Sequence, residues 1–263
     1  MVATYLINNF SLNIQEYSYE PEVIELCKII KEDYTCFRIL NDFFVTTTNP
    51  NGISVEQVAL YLDNSKETFE IMENQTVNLK IYENLKETII KVFNDEHTSN
   101  HYWNICSNYV EYIVNMWKKI PDPNGILASE PQIFYNSQLM FNDYDYCNSK
   151  FDIVYLHKIN KQFNLYECKF KLRTFLSDLK YTSSNTNSKK QRKHEQSIRK
   201  KQYMTAFHNL FENKQIDTNE GEVAIVTLAN RTAIENDLPI LSPLKIYTRE
   251  DLENKSVFDS FYI

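Results

Sequence analysis

Two short apolar stretches of the chain carry charged side chains whose spacing could support metal-dependent hydrolysis. Asp152 lies within the stretch Phe-Asp-Ile-Val-Tyr, and Glu167 and Lys169 lie in the later stretch Leu-Tyr-Glu-Cys-Lys-Phe. A buried charge is unfavourable unless it is paired with an opposite charge or bound to a metal ion. Two carboxylates next to an ammonium group could bind a divalent cation and activate a water molecule. These residues therefore predict hydrolysis of a phosphodiester.

The spacing of the three residues fits two neighbouring β-strands. We predict strands over Phe151 to Lys158 and over Phe163 to Lys171, joined by a short hairpin. Because side chains alternate between the two faces of a strand, Glu167 and Lys169 point to the same face. The hairpin can bring Asp152 beside Glu167, which would place two carboxylates and one ammonium group on one surface.

Mg²⁺ or Mn²⁺ is the cofactor that this set of ligands favours, because both ions prefer oxygen ligands and retain water molecules. Asp152 and Glu167 would supply side-chain oxygens, while Cys168 would pack in the core and contribute its backbone carbonyl at most. Lys169 would orient the attacking water molecule or help to deprotonate it. A structural ion pair between Lys169 and Glu167 is the simpler alternative for the same pattern.

The elements around this hairpin predict a mixed sheet flanked by helices. An amphipathic helix covers 101–119 before the first strand, and another helix covers roughly 193–211 after the hairpin. Further strands are predicted over Ile126 to Tyr135, Glu222 to Leu228 and Leu244 to Thr248. The resulting order of elements is α-β-β-β-α-β-(α)-β.

Residues 1–98 are predicted to form a smaller α+β domain that precedes a larger domain at 99–263. The predicted elements of the smaller domain are extended stretches over Thr4 to Leu12 and Arg38 to Thr48, and helices that begin near Pro21, Ser54 and Val77.

Charge is distributed unevenly along the chain. The net charge is −7, yet residues 1–98 hold 16 acidic against 7 basic residues, and residues 99–263 hold 19 against 21. Within 169–203, 11 Lys and Arg residues are opposed only by Asp178 and Glu195. An acidic front therefore precedes one concentrated basic segment.

The basic segment follows the hairpin and enters the helix predicted at 193–211. Its side chains would hold the phosphate backbone of a nucleic acid and make binding steeply dependent on salt. A solvated helix surface is the alternative for such a run of charge. The predicted nucleic-acid-binding residues are Lys189, Lys190, Arg192, Lys193, Arg199, Lys200 and Lys201.

An aspartate followed by E-x-K on consecutive strands resembles the PD-(D/E)xK nuclease superfamily, which includes restriction endonucleases and many phage-defence nucleases. The resemblance covers about 100–250, where the order of elements matches as well as the motif. It implies a restriction endonuclease-like fold, a divalent metal ion and cleavage that leaves a 5′-phosphate. Phe151 stands where the motif usually has proline, and no Q-x-x-x-Y follows on the next helix.

The superfamily also has a glutamate on the helix before the first strand, and the resemblance therefore implies a fourth catalytic residue. Glu111 takes this position on the helix predicted at 101–119. Glu130 and Asp145 are the alternatives.

These features together predict a metal-dependent endonuclease that acts on double-stranded DNA, in restriction or anti-phage defence. By the same resemblance the chain could form a homodimer, and the acidic front could sense a target or bind a protein partner. Three alternatives stay open: an RNA-cleaving nuclease, a catalytically inactive nucleic-acid-binding protein of the same fold, and a scaffold or inhibitor whose acidic front mimics nucleic acid.

Several other classes of protein are disfavoured by the composition. Only three glycines occur, so neither a G-x-G-x-x-G loop nor a Walker A motif can be written. The five cysteines are scattered without a C-x-x-C pair, which disfavours a disulfide framework or structural zinc. Because no apolar run is long enough to span a bilayer, we expect a cytoplasmic protein without membrane contact.

Overall fold

The structure, a computed structural model, describes residues 4–14, 16–47, 50, 53–94, 99–119, 122–141, 149–182 and 188–262. The fold is mixed α/β and divides into two compact units. Unit 1 combines Met1–Tyr17 with Lys118–Thr248, and unit 2 combines Ser18–Trp117 with Arg249–Ile263. The boundary predicted between residues 98 and 99 lies within unit 2.

The strands of the described residues all belong to unit 1. They are β1 (Tyr5–Leu6), β2 (Phe10–Asn13), β3 (Gly125–Ser129), β4 (Gln132–Tyr135), β5 (Gln138–Leu139), β6 (Ile153–His157), β7 (Gln162–Cys168), β8 (Ile216–Asp217), β9 (Glu220–Val226) and β10 (Lys245–Tyr247).

Helices occur in both units. They are α1 (Pro21–Ile30), α2 (Tyr34–Thr46), α3 (Val55–Met72), α4 (Leu79–Asn94), α5 (Ser99–Lys118), α6 (Leu172–Lys180), α7 (Ser188–Glu212), α8 (Arg231–Ile234), α9 (Arg249–Leu252) and α10 (Lys255–Asp259). Short 3-10 turns lie at Ile7–Asn9, Glu235–Leu241 and Ser260–Tyr262. In the described part of the chain, none of the helices has the length and apolar character needed to cross a bilayer.

A five-stranded mixed sheet forms the centre of unit 1, with the strand order β10-β9-β7-β6-β3. The central strand β7 pairs antiparallel with β6 and parallel with β9. The outer strands continue this pattern, since β3 is antiparallel to β6 and β10 is parallel to β9. Two smaller sheets accompany it, the antiparallel β2-β4-β5 and the parallel pair β1-β8.

One face of the central sheet packs against α6 and α7. Val154 and Leu165 belong to a buried apolar cluster that also contains Leu176 of α6 and Tyr203 and Phe207 of α7. Burial of large apolar side chains is the main stabilising contribution to such a layer. The packing therefore fixes the position of α7 over β6 and β7, near Asp152, Glu167 and Lys169.

The hairpin predicted from the sequence is confirmed as β6 and β7, although β7 ends at Cys168 rather than at Lys171. The helix predicted over roughly 193–211 is also confirmed, as α7. The strand predicted over Ile126 to Tyr135 is divided into β3 and β4, because Glu130 between them adopts a positive φ of 45°.

Helix α6 was not predicted, although its sequence contains the signal for a helix. Leu172, Phe175, Leu176 and Leu179 recur at the spacing of one helical face, and all four are buried. The polar and charged residues between them obscured this spacing, because they continue the charge pattern of the basic segment.

The described residues of unit 2 are helical or irregular, which corrects the extended stretch predicted over Arg38 to Thr48: Arg38 to Thr46 belong to α2, and Thr48 lies outside the described residues. Helix α2 begins after Asp33, whose side chain accepts a hydrogen bond of 2.7 Å from the backbone N–H of Cys36. Its buried residues Phe37, Leu40 and Phe44 follow helical spacing. Aromatic and apolar residues are common in strands, so the residue types of this segment favour a strand, whereas the spacing of the residues favours a helix.

Charged residues join the last segment of the chain to the helices of unit 2. Arg249 lies 3.0 Å from Asp42 of α2 and 2.6 Å from Glu253. Asn41 of α2 donates a hydrogen bond of 3.0 Å to Glu253 as well. These contacts explain why the residues from Arg249 onward belong to unit 2.

Candidate functional site

Asp152 and Glu167 come together because of the register of the β6–β7 pair. Ile153 is opposite Tyr166, so Asp152 lies at the level of Glu167 and Cys168, at the end of the two strands. The backbone N–H of Cys168 donates a hydrogen bond of 2.6 Å to Oδ2 of Asp152. This bond holds the Asp152 carboxylate against the strand that carries Glu167.

Glu167 is completely buried, and it lies between two lysines. Nζ of Lys169 is 2.5 Å from Oε1 of Glu167, and Nζ of Lys200 is 2.6 Å from Oε2. Both contacts are ion pairs at hydrogen-bonding distance, so each Glu167 oxygen faces one ammonium group. A buried carboxylate needs such partners, because an unpaired buried charge is strongly unfavourable.

The two carboxylates have opposite pKa shifts. Burial and the neighbouring charge of Glu167 raise the pKa of Asp152 to about 6. Burial also opposes ionisation of Glu167, but the positive charges of Lys169 and Lys200 outweigh it and hold the pKa of Glu167 below its usual value. At neutral pH the site therefore contains an ionised Glu167 and an Asp152 that titrates close to neutrality.

Lys169 remains a cation in this environment. Burial alone would lower its pKa, but the charges of Glu167 and Asp152 raise the pKa of Lys169 above its usual value. Its side chain is 30% exposed, whereas Glu167 has no exposed surface. Lys169 and Asp152 are both partly exposed, so the site is open to solvent at these two residues although Glu167 is buried.

Lys200 was predicted as a phosphate-binding residue, and the structure pairs it with Glu167. Its position on α7 is three residues before buried Tyr203 and seven before buried Phe207, so it lies on the inward face of the helix. Its ammonium group also donates a hydrogen bond to the backbone carbonyl of Lys150. A lysine at the spacing of the buried apolar residues of α7 was the signal in the sequence.

The other predicted basic residues lie on the outer surface of α7. Lys189, Lys190, Arg192 and Lys193 are exposed, and Arg199 and Lys201 are partly exposed. Nδ1 of His194 lies 2.7 Å from the carbonyl of Asp178 in α6, which places the first turns of α7 beside α6. This exposed beginning of α7, from residue 188 to residue 196, is called the basic helix start below.

Glu111 is assigned to a different unit from the other predicted catalytic residues. It is buried on α5 within unit 2, whereas Asp152, Glu167 and Lys169 belong to unit 1. The alternative Glu130 is exposed, and its backbone N–H donates to the carbonyl of Asp152 at 2.8 Å. Asp145 lies outside the described residues. Cys168 is buried, and its backbone N–H is the donor to Asp152 described above.

A second group of possible metal ligands lies in unit 2. Glu20, Glu22 and His101 offer ligand atoms that all lie within 4.8 Å of one another. His101 Nε2 and Glu22 Oε1 are 3.5 Å apart, so the group also contains a potential ion pair. The sequence had not indicated this group, because Glu20 and Glu22 lie at the start of α1 and His101 lies in α5, which is distant along the chain.

The comparisons with known proteins assign no family to the chain. No model of a known protein family matches it, and no curated protein is significantly similar to it. The chemistry of the site therefore depends on the geometry of its own residues.

Proposed function

We propose that unit 1 is a metal-dependent nuclease of the PD-(D/E)xK type that hydrolyses phosphodiester bonds of DNA. The observation that carries this proposal is the convergence of Asp152, Glu167 and Lys169 at the end of the β6–β7 pair. A completely buried carboxylate that contacts two ammonium groups differs from an ion pair on an exposed strand, the simpler alternative for this pattern. Its ionised state, next to a second carboxylate, is the state that a divalent cation binds.

The donor set suits a hard divalent cation. Asp152 and Glu167 present carboxylate oxygens, and because each such oxygen has more than one lone pair, a contact with an ammonium or N–H group leaves capacity for a further ligand. Asp152 and Glu167 would hold Mg²⁺ or Mn²⁺, which when bound would polarise a water molecule and neutralise charge on the phosphate. Two protein ligands leave coordination positions for water and substrate.

Lys169 has the properties of an orienting cation in this site. Because Glu167 and Asp152 raise its pKa, Lys169 is protonated at neutral pH in the metal-free site. An ammonium group at this position can orient the attacking water and stabilise the negative charge that develops on the phosphate. Asp152 accepts the Cys168 N–H with Oδ2, and this hydrogen bond orients the carboxylate and its other oxygen, Oδ1.

The restriction endonuclease-like arrangement is part of the same proposal. The antiparallel pair β6–β7 is followed by α6 and α7, and then by β9 and β10, which pair parallel to each other. Helix α6 was not expected from the resemblance, and the rest of this order supports the proposal. A role in restriction or anti-phage defence, and an interaction partner for the acidic unit 2, are extensions of this analogy.

Cleavage assays with matched variants test the proposed function. Plasmid DNA, single-stranded DNA and RNA are incubated with Mg²⁺, Mn²⁺ or EDTA, using the wild type, Asp152→Ala and Lys169→Ala. We expect metal-dependent cleavage of DNA that both variants lose. Asp217→Ala and Lys161→Ala serve as controls, because these two residues form an ion pair at the other end of β7.

The outcome of this assay separates the alternatives. Cleavage of RNA alone would change the substrate class and keep the chemistry. Binding of DNA without cleavage and without Mn²⁺ binding would favour an inactive nucleic-acid-binding protein. A protein that neither cleaves nor binds any nucleic acid would contradict the proposal and favour the scaffold alternative.

The basic helix start predicts a steep dependence of DNA binding on salt. Replacing its four exposed cations with glutamine, at Lys189, Lys190, Arg192 and Lys193, should reduce the slope of log affinity against log salt by about 3 to 4. Each phosphate contact releases condensed counterions, so each lost contact lowers the slope. Fluorescence anisotropy with labelled duplex DNA at several salt concentrations measures it.

A control variant with the same change of net charge separates local contact from overall charge. Its four substitutions to glutamine lie in unit 2, at Lys28, Lys31, Lys80 and Lys91. If this control variant reduced the slope as much as the first variant did, the basic helix start would not be the contact surface.

A further inference from the structure

Lys200 contacts the candidate site without belonging to its motif. Only 19% of its side chain is exposed, and its ammonium group lies 2.6 Å from Oε2 of Glu167. The same group donates to the carbonyl of Lys150, two residues before Asp152. One side chain from α7 therefore contacts both the segment that enters β6 and the carboxylate at the end of β7.

The charges of this cluster balance without any added ion. Asp152 and Glu167 can supply two negative charges, and Lys169 and Lys200 supply two positive charges. A divalent cation that binds the carboxylates would add two positive charges next to these ammonium groups. Because like charges repel strongly where water is excluded, at least one ammonium group has to give up its contact with Glu167.

Lys200 is the better candidate for this exchange. Lys169 has two carboxylates that raise its pKa and hold it on the strand, Glu167 and Asp152. Lys200 reaches the site from the helix through a flexible side chain, and it has a second partner in the Lys150 carbonyl. It can leave Oε2 of Glu167 and still keep a hydrogen bond.

We propose that Lys200 is an internal counter-cation that competes with the divalent metal ion for Glu167. In the metal-free protein it neutralises the buried carboxylate. When a metal ion binds, Lys200 releases Glu167 and becomes free to pair with a phosphate group of the substrate. Metal and nucleic acid then strengthen each other's binding, because each favours the state in which Lys200 has left Glu167.

This inference rests on the proposed function, and it predicts an increase in metal affinity when a lysine is removed. Lys200→Met has a side chain of similar length without the charge, so the metal ion no longer competes with it. We expect Mn²⁺ to bind Lys200→Met at least tenfold more tightly than the wild type in the absence of nucleic acid. Lys200→Arg retains the positive charge and should bind Mn²⁺ like the wild type.

Mn²⁺ titrations followed by electron paramagnetic resonance measure the free ion directly. Lys180→Met is the matched control, because Lys180 is a lysine of the neighbouring helix α6 that pairs with Asp237 instead of Glu167. All proteins also carry Glu22→Gln, which removes one ligand of the group formed with Glu20 and His101. Asp152→Asn in the same background identifies the signal that belongs to the candidate site.

The coupling between metal and substrate is the second measurement. The affinity of a non-cleavable phosphorothioate duplex is measured with and without Mn²⁺. In the wild type Mn²⁺ should strengthen duplex binding, and in Lys200→Met this coupling should fall at least fivefold. If Lys200 served only to stabilise the fold, its substitution would change neither the Mn²⁺ affinity nor the coupling between Mn²⁺ and duplex binding.

Lys200→Gln provides a second test if Lys200→Met does not fold, because glutamine can still donate to the Lys150 carbonyl. Unchanged or weaker Mn²⁺ binding in a folded Lys200→Met or Lys200→Gln would overturn the inference. If the wild type cleaves DNA in that case, the proposed function survives on its own. If the wild type neither binds Mn²⁺ nor cleaves nucleic acid, the proposed function and this inference are both overturned.

Discussion

Asp152→Asn should strongly reduce metal-dependent cleavage and at the same time make the metal-free protein more stable. We expect the rate to fall by roughly 10³-fold, because the variant loses one of two proposed metal ligands and the charge that acts on the transition state. The gain in stability has a separate cause, which is the raised pKa of Asp152. An ionised group whose charge is unfavourable in the native state lowers stability at neutral pH.

The pH dependence of this gain follows from the direction of the shift. The pKa of Asp152 is about 6 in the folded protein, whereas an unfolded aspartate titrates near its ordinary, lower value. The native state holds this proton more tightly, so stability falls as the pH rises between these two values. The free energy of unfolding of Asp152→Asn should therefore exceed that of the wild type only slightly near pH 4. This difference should grow towards pH 6 and stay constant above it, at about 1 to 3 kcal/mol.

Urea unfolding in EDTA from pH 4 to pH 8 measures this difference. The amide oxygen introduced by Asp152→Asn can still accept the Cys168 N–H, so the hydrogen bond of 2.6 Å need not be lost. Asp217→Asn is the control, since Asp217 is partly exposed and pairs with Lys161. A loss of stability in Asp152→Asn at pH 8 would show that Asp152 has a structural role, and it would remove the electrostatic support for the site.

Glu167→Gln should have the opposite effect on stability. Glu167 is buried between two ammonium groups, and the variant would leave both without their shared counter-ion. Breaking a buried ion pair by removing one partner typically costs about 3 to 5 kcal/mol. Cleavage should also be lost, because a neutral amide is a poor ligand for Mg²⁺ or Mn²⁺.

Acid should reduce the destabilisation caused by Glu167→Gln. Because the pKa of Glu167 is lowered in the folded protein, its stabilising contribution is present above the ordinary pKa of a glutamate and is lost as the pH falls through the folded value. The difference between wild type and variant should shrink in strongly acidic solution. Unfolding in EDTA at pH 7 and at decreasing pH measures this trend.

The control for Glu167→Gln is Glu220→Gln in the same sheet. Glu220 lies in β9 and is exposed, and it accepts a hydrogen bond of 2.8 Å from Gln162. This substitution should change stability by less than about 1 kcal/mol. A Glu167→Gln protein as stable as this control would contradict the buried ion-pair cluster.

Asp152→Asn is expected to raise the stability of the metal-free protein, and Glu167→Gln is expected to lower it. These opposite effects distinguish a metal-binding site from a cluster that only stabilises the fold. A cluster that served only the fold would lose stability when either carboxylate was neutralised. In a site adapted to bind a cation, one carboxylate carries a charge that destabilises the metal-free protein and becomes favourable when the cation binds. Asp152 has the electrostatics of the second kind, and Glu167 alone has those of the first.

Much of the candidate site could be predicted from the sequence because it depends on local rules. Side chains alternate along a strand, so E-x-K alone places Glu167 and Lys169 on one face. A short hairpin fixes antiparallel pairing, and the observed register brings Asp152 to the level of Glu167. Helix α7 was predictable for a similar reason, since Tyr203, Phe207 and Leu210 follow helical spacing.

The division into units and the remaining partners of the site were decided by the tertiary structure. Lys200 pairs with Glu167 because α7 packs across the sheet, and no local rule in the sequence sets that crossing. The same is true of Glu111, which belongs to unit 2 although it precedes the sheet in the chain. Sequence spacing determines which face of an element a residue occupies, whereas the partner of that face depends on the burial of apolar surface from the whole chain.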